Sequence, residues 1–124
     1  MLVRGNRLRI LLVDDEPDIQ TLLSKLLRER GYVVDLANTA HEAQSHLSGQ
    51  TYDVVITDWQ LPDGDGLLVA DWAAELGAKT FVMSGYLALM PDGRATGHET
   101  IMKPIRLDEF IAAVMRSVGE AVPD

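Results

Sequence analysis

A chain of 124 residues, 47% of them hydrophobic, is long enough for one domain with a core of its own. It holds no cysteine, which excludes disulfides, thiolate metal sites and cysteine nucleophiles and is compatible with a reducing compartment. The net charge of −8 speaks against a DNA-binding surface, which needs a basic face to displace counterions from phosphates.

The start, residues 1–7, is basic, but the apolar stretch behind it is too short for a signal peptide. No apolar run approaches the ~20 residues that cross a bilayer. The expectation is a cytoplasmic protein that touches neither membrane nor nucleic acid, with an extension at 1–7, one domain over 8–120 and a tail at 121–124. Residues 8–13 read as a buried strand running into Asp14-Asp15-Glu16-Pro17. Pro17 suits a first helical turn. Ile19, Leu22, Leu23, Leu26 and Leu27 then recur at amphipathic-helix spacing until Gly31. A second strand is predicted at 32–37, followed by a helix that Thr39 caps, Glu42 returning the bond, and that Gly49 closes.

The run Val54-Val55-Ile56 is β-branched with no polar alternation, the pattern of a strand covered on both faces of a parallel sheet. It ends on Asp58, and Pro62, Gly64 and Gly66 then turn the chain. Asp65 is a suitable cap for a third helix with a looser apolar face of Leu67, Leu68, Trp72 and Leu76, ended by Gly77. Residues 79–83 form a fourth strand ending on Ser84-Gly85. Residues 86–90 leave room only for a short or degraded fourth helix, and 98–102 form a weak fifth strand leading to Lys103-Pro104. Leu107, Phe110, Ile111, Val114, Met115 and Val118 make the stripe of a last helix, with Asp108 and Glu109 in its first turn and Arg106 as a poor cap. Strands alternating with helices imply an α/β fold: a doubly wound, five-stranded parallel sheet with helices on both faces.

In such a sheet the carboxyl ends of the strands share one rim, where ligands bind. Here that rim gathers Asp14, Asp15, Asp58, Ser84 and Lys103 from four distant segments. One carboxylate pair at ~4 Å repels by about 4 kcal/mol at an effective dielectric of ~20, so the acids must be protonated, paired or holding a cation. Hard oxygen donors favour Mg²⁺, which pairs readily with phosphate oxygens. Each residue alone has a plainer role, as cap, turn former or surface lysine. Their coincidence at equivalent strand ends favours transfer of a phosphoryl group to an acidic nucleophile, with Asp58 best placed to receive it. His41, His46 and His98 show no ligand spacing and are expected at the surface.

The motifs Leu-Leu-Val-Asp14-Asp15-Glu16, Asp58-Trp-Gln-Leu-Pro62 with Asp65-Gly66, Met83-Ser84-Gly85 and Lys103-Pro104 resemble, together and over about 8–118, the receiver domain of bacterial two-component response regulators. The resemblance implies a flavodoxin-like sheet of order 2-1-3-4-5. It also implies phosphorylation of Asp58 by a sensor histidine kinase or histidine phosphotransfer protein with Mg²⁺. Asp15 and Asp58 would hold the metal directly, Asp14 through water, and the Gln60 backbone carbonyl would complete the protein ligands. Ser84 would hydrogen-bond the phosphoryl oxygen, Lys103 would pair with it, and the Lys103-Pro104 bond would be cis. Gln60 and Tyr86 would flank the attacking water and set the phosphoryl lifetime, for which slow self-hydrolysis is expected rather than conventional enzyme turnover. Partner docking would fall on Ile19, Leu22 and Ile105, although Leu22 reads equally as core.

The chain departs from the family in its switch: the aromatic three residues before the lysine is replaced by Thr100, with Tyr86 as the candidate substitute. The readings are a phospho-acceptor read by a downstream protein, either standing alone or as part of a longer hybrid kinase, and a receiver-like interaction module that is not phosphorylated. An aspartyl-phosphate hydrolase would need a second acid two residues after the nucleophile, where Gln60 stands.

Overall fold

A central sheet of five parallel strands organises the chain. The computed structural model describes residues 7–86, 89–91 and 93–121. Most of the expected extension and tail therefore lies outside the described residues. The elements are β1 (Arg9–Val13), α1 (Pro17–Glu29), β2 (Val33–Ala37), α2 (Ala40–Gly49), β3 (Val54–Asp58), β4 (Gln60–Leu61), β5 (Gly64–Asp65), α3 (Gly66–Glu75), β6 (Lys79–Ser84), β7 (Glu99–Met102) and α4 (Leu107–Ser117). The large sheet has the order β2-β1-β3-β6-β7, all pairs parallel. It is the doubly wound topology expected from the alternating pattern, with two extra short strands.

The alternation of side chains along each strand feeds two cores, one on each face. Ile10, Leu12, Val54, Ile56, Phe81 and Met83 point to the side covered by α1 and α4, against Leu23, Leu27, Phe110 and Val114. Leu11, Val13 and Val55 point to the side covered by α2 and α3, against Ala43, Leu47, Val69 and Ala73. β3 is buried at every position, which accounts for its unbroken apolar run.

Local signals place the helix ends. Thr39 Oγ1 accepts from the Glu42 N–H, and the Glu42 carboxylate reaches back to the N–H of Asn38, one residue before the cap itself. Asp65 Oδ1 accepts from the Leu67 N–H at the start of α3. Arg106 caps α4 with no side-chain bond and instead pairs with Glu109 at 3.2 Å. Gly31 and Gly77 take φ of 92° and 94° just past α1 and α3, a backbone region that disfavours side chains.

One expectation needs correction, and two are refined or left open. The buried face of α3 is Leu67, Val69, Ala70 and Ala73, while Leu68 and Leu76 are exposed; small side chains let the helix lie close to the sheet, and the large leucines are left outside. Asp58 is followed by a two-residue-per-strand hairpin, β4–β5, pairing Gln60 with Asp65. The short helix expected at 86–90 falls partly outside the described residues. Among those described between β6 and β7, residues 93–97 form turns, with Arg94 N–H donating to the Pro91 carbonyl and Thr96 N–H to that of Gly93.

Candidate functional site

Asp58 closes β3, Ser84 closes β6, Asp14 follows β1 directly and Lys103 follows β7, so the four meet on the carboxyl rim of the sheet. Ladder bonds run into the site: Asp14 N–H donates to the Ala37 carbonyl, Trp59 N–H to that of Met83, and Lys103 N–H to that of Ser84. The Lys103-Pro104 peptide is cis. Lys103 Nζ donates to Glu16 Oε1 at 2.7 Å, Asp58 Oδ2 at 3.1 Å and Asp14 Oδ2 at 3.3 Å. One ammonium thus neutralises part of a triple acidic charge.

The electrostatics of the group follow from burial. Desolvation pushes both Asp14 and Asp58 above the usual carboxylate range, against the opposing pull of Lys103 and, for Asp14, the Glu16 N–H. For Lys103, burial pulls down, but the hydrogen bond to Glu16 and the carboxylates of Asp14 and Asp58 outweigh it and hold the ammonium protonated. Asp15 is exposed, and its charge adds to the raising of Asp58.

Carboxylate oxygens of Asp14, Glu16 and Asp58 lie within 4.8 Å of one another. A set of hard oxygens this close suits a small divalent cation such as Mg²⁺. Glu16 was not singled out in the sequence, though it stands in the same acidic run and faces the rim from just ahead of α1. Its backbone N–H is held by Asp14 Oδ1 at 2.8 Å. Gln60 is exposed in β4, two residues beyond Asp58. Ser84 is buried, and its Oγ accepts from the Tyr86 N–H at 2.8 Å, while Tyr86 is 59% exposed.

Close backbone approach fixes the far wall. A Cβ added to Gly66 would lie 1.7 Å from the Asp58 carbonyl oxygen, and the Gly66 N–H donates to the Trp59 carbonyl. Only glycine lets α3 begin here. On the other side a groove of about 460 Å³ is lined by Glu16, Ile19, Leu22, Lys103, Ile105 and Leu107 among others, so Ile19, Leu22 and Ile105 do come together beside the site. Thr100 is exposed on the edge strand β7.

His98 and His46 are not surface residues of the ordinary kind. The His98 side chain is 3% exposed, its Nε2 2.8 Å from Asp71 Oδ1 and its Nδ1 against Thr80 Oγ1. His46 sits between the Leu36 carbonyl and Tyr52. Neither contact is visible as a spacing, because each partner comes from another element. His41 is exposed, as expected.

The response regulator receiver domain family matches residues 10–115 of this chain. A transcriptional regulatory protein of Mycobacterium tuberculosis, TcrA, is 35% identical over 121 residues, covering 88% of this chain and 45% of its own length. Another, DltR of Streptococcus agalactiae, is 30% identical over 112 residues, covering 86% of this chain and 50% of its own. The chain therefore spans about half the length of these curated relatives. Among solved structures, a CheY-like receiver domain protein of Methanospirillum hungatei superposes with a TM-score of 0.85 at 27% identity, covering 91% of this chain and 94% of the other. The response regulator TrrA of Thermotoga maritima, solved in complex with Mg²⁺-BeF, gives 0.80 at 34% identity over 89% and 98%. The chain belongs to the response regulator receiver domain family.

Proposed function

We propose that this receiver domain accepts a phosphoryl group on Asp58 from a histidine kinase or histidine phosphotransfer protein, with Mg²⁺ as cofactor. The observation that carries the reading is the 3.1 Å contact between Lys103 Nζ and the Asp58 carboxylate at the shared rim of the sheet. Asp14 is a poor acceptor by comparison: it is fully buried and its Oδ1 is committed to the Glu16 N–H. Asp58 spends Oδ2 on Lys103, and among the described residues its other oxygen has no hydrogen-bond partner.

In the transfer, an Asp58 oxygen forms the bond to phosphorus as the bond from phosphorus to the donor histidine nitrogen breaks. Lys103 moves its pairing from the three carboxylates toward the incoming phosphoryl oxygens. Ser84 Oγ already accepts from the Tyr86 N–H, so its proton is free to donate to a phosphoryl oxygen. The residues that would hold the metal are Asp14, Glu16 and Asp58, whose carboxylates lie together, with the exposed Asp15 and the Gln60 carbonyl of β4 as further oxygens nearby in the chain. When bound, Mg²⁺ supplies positive charge to the transferring phosphoryl group. The remainder is positioning by the protein, as is usual in this chemistry.

The groove of Ile19, Leu22 and Ile105 offers an apolar landing place for the donor protein, opening directly beside Lys103. No helix among the described residues is long and apolar enough to cross a membrane, and the reading places the domain in the cytoplasm, acting on protein partners. The test is a titration of Mg²⁺ and then beryllium fluoride, followed by Trp59 fluorescence in a Trp72→Phe background, with Asp58→Asn as control. A saturable response in the parent and none in the control is expected. Absence of both metal and fluoride responses leaves only a scaffold that is not phosphorylated.

A further inference from the structure

The aromatic side chain expected to carry a switching signal is replaced here by the exposed Thr100, and the chain between β6 and β7 is held in another way. Arg94 Nη1 lies 3.2 Å from Asp71 Oδ2, and its other terminal nitrogen 3.9 Å from Asp65 Oδ2. His98 Nε2–H donates to the second oxygen of the same Asp71, which leaves Nδ1 to accept from the Thr80 hydroxyl. Asp71 thus holds two cations or donors of one turn segment, one on each oxygen. Ala95, between them, packs with Met90 and Trp59 against Leu67, Ala70 and Val82. Among the described residues, these side-chain bonds tie the segment to α3 and, through Thr80, to β6.

The other end of α3 leads to the phosphoryl site. Asp65, which Arg94 approaches, is the N-cap of α3, and Gly66 presses on the backbone of Asp58 and binds Trp59. Besides its ladder to β6, the chain at Asp58 and Trp59 is thus coupled to the first turn of α3 and to the side chains packed on Trp59. Both routes end on residues 93–98. Packed elements transmit such shifts because they have discrete arrangements, not a continuum.

We propose that the Arg94–Asp71–His98 clamp is the element through which occupancy of the Asp58 site is passed to residues 93–98. It replaces the missing aromatic as the link between the rim and this face of the domain. The proposal rests on the phospho-acceptor reading, and the two are separable in one experiment.

Amide-resolved hydrogen exchange is measured by NMR on the full chain, free and with Mg²⁺ plus beryllium fluoride. The parent is compared with Asp71→Ala and with the milder Arg94→Ala. Signals of Trp59 and Lys103 report loading of the site; amides of Thr96, Gly97 and His98 report the clamp. In the parent, loading is expected to change exchange at these three amides about tenfold or more. In both variants Trp59 and Lys103 are expected to respond to loading at concentrations within about twofold of the parent, while most of the exchange change at 96–98 disappears. Loading in the parent with unchanged exchange at 96–98 overturns the clamp and leaves the phospho-acceptor intact. So does a full exchange change in folded Arg94→Ala. No response of Trp59 and Lys103 in the parent removes the phospho-acceptor reading and the clamp with it.

Discussion

Asp58 carries two opposed demands, since it must stay ionised to attack phosphorus yet is largely buried beside other carboxylates. Burial raises its pKa and that of Asp14. A carboxylate whose folded pKa lies above its unfolded value favours folding most when protonated, and that contribution is lost as pH rises through the folded pKa. The ionised pair therefore weakens the metal-free fold at neutral pH. Asp58→Asn removes one charge and leaves Lys103 with Asp14 and Glu16, so we expect it to stabilise the metal-free protein at pH 7 by about 1 kcal/mol, roughly 4 °C in Tm. The gain should shrink as pH falls toward the carboxylate range. Thermal melts of both proteins across pH 4–8 in chelator check this, and a gain that grows with acidity would contradict it.

Gly66 makes the complementary demand on space. With its Cβ falling 1.7 Å from the Asp58 carbonyl oxygen, Gly66→Ala must push α3 away from β3. The expected cost is about 3 kcal/mol, read from the urea midpoint, together with loss of the Trp59 response to beryllium fluoride. Neither residue's surroundings were equally legible beforehand. Asp58, Ser84 and Lys103 stood out because each ends an apolar run, and strand ends are where the chain leaves the sheet. Glu16 and His98 do not, because their partners come from just past β7 and from α3, and no spacing along the chain announces a contact across it.

At the scale of elements, the strands were read well for a physical reason. β3 is buried throughout and therefore uninterrupted in its apolar character, whereas the leucines of α3 mislead because tight packing favours Ala70 and Ala73 over Leu68 and Leu76. The β4–β5 hairpin has two residues per strand, too few for any periodicity to appear. A groove also opens between α1 and the start of α4. Leu22 is 42% exposed on α1, so a charge there disturbs the surface more than the core. Leu22→Glu should lower the rate of phosphoryl transfer from a histidine phosphodonor protein about tenfold or more. Labelling by a small phosphodonor should stay unchanged, since it needs no docking surface. Equal loss with both donors would place the defect in the site instead of the groove.

For the molecule as a whole, the arrangement is a balance in which a net charge of −8 is concentrated partly at one rim and relieved by a cation. A ligand that binds only the folded state stabilises it by mass action, about 1.4 kcal/mol when present at ten times its dissociation constant. Mg²⁺ should therefore raise Tm in the parent and have a much smaller effect in Asp58→Asn. Added monovalent salt at matched ionic strength separates site binding from general screening. A Tm unaffected by Mg²⁺ up to tens of millimolar would argue against a metal site of useful affinity.

The turn between β4 and β5 has a bearing on encounter with any donor. Asp63 Oδ1 accepts the Ala40 N–H at 2.7 Å and Oδ2 the His41 N–H at 3.0 Å, and these backbone bonds hold its carboxyl below the usual range. The strip of chain just past Asp58 is thus moored to the opening of α2, the helix that packs over β1 and β2 beside α3. Its conformational freedom is surrendered while the chain folds. A donor arriving at the rim meets a surface already in place, and its binding free energy need not be spent on ordering that strip.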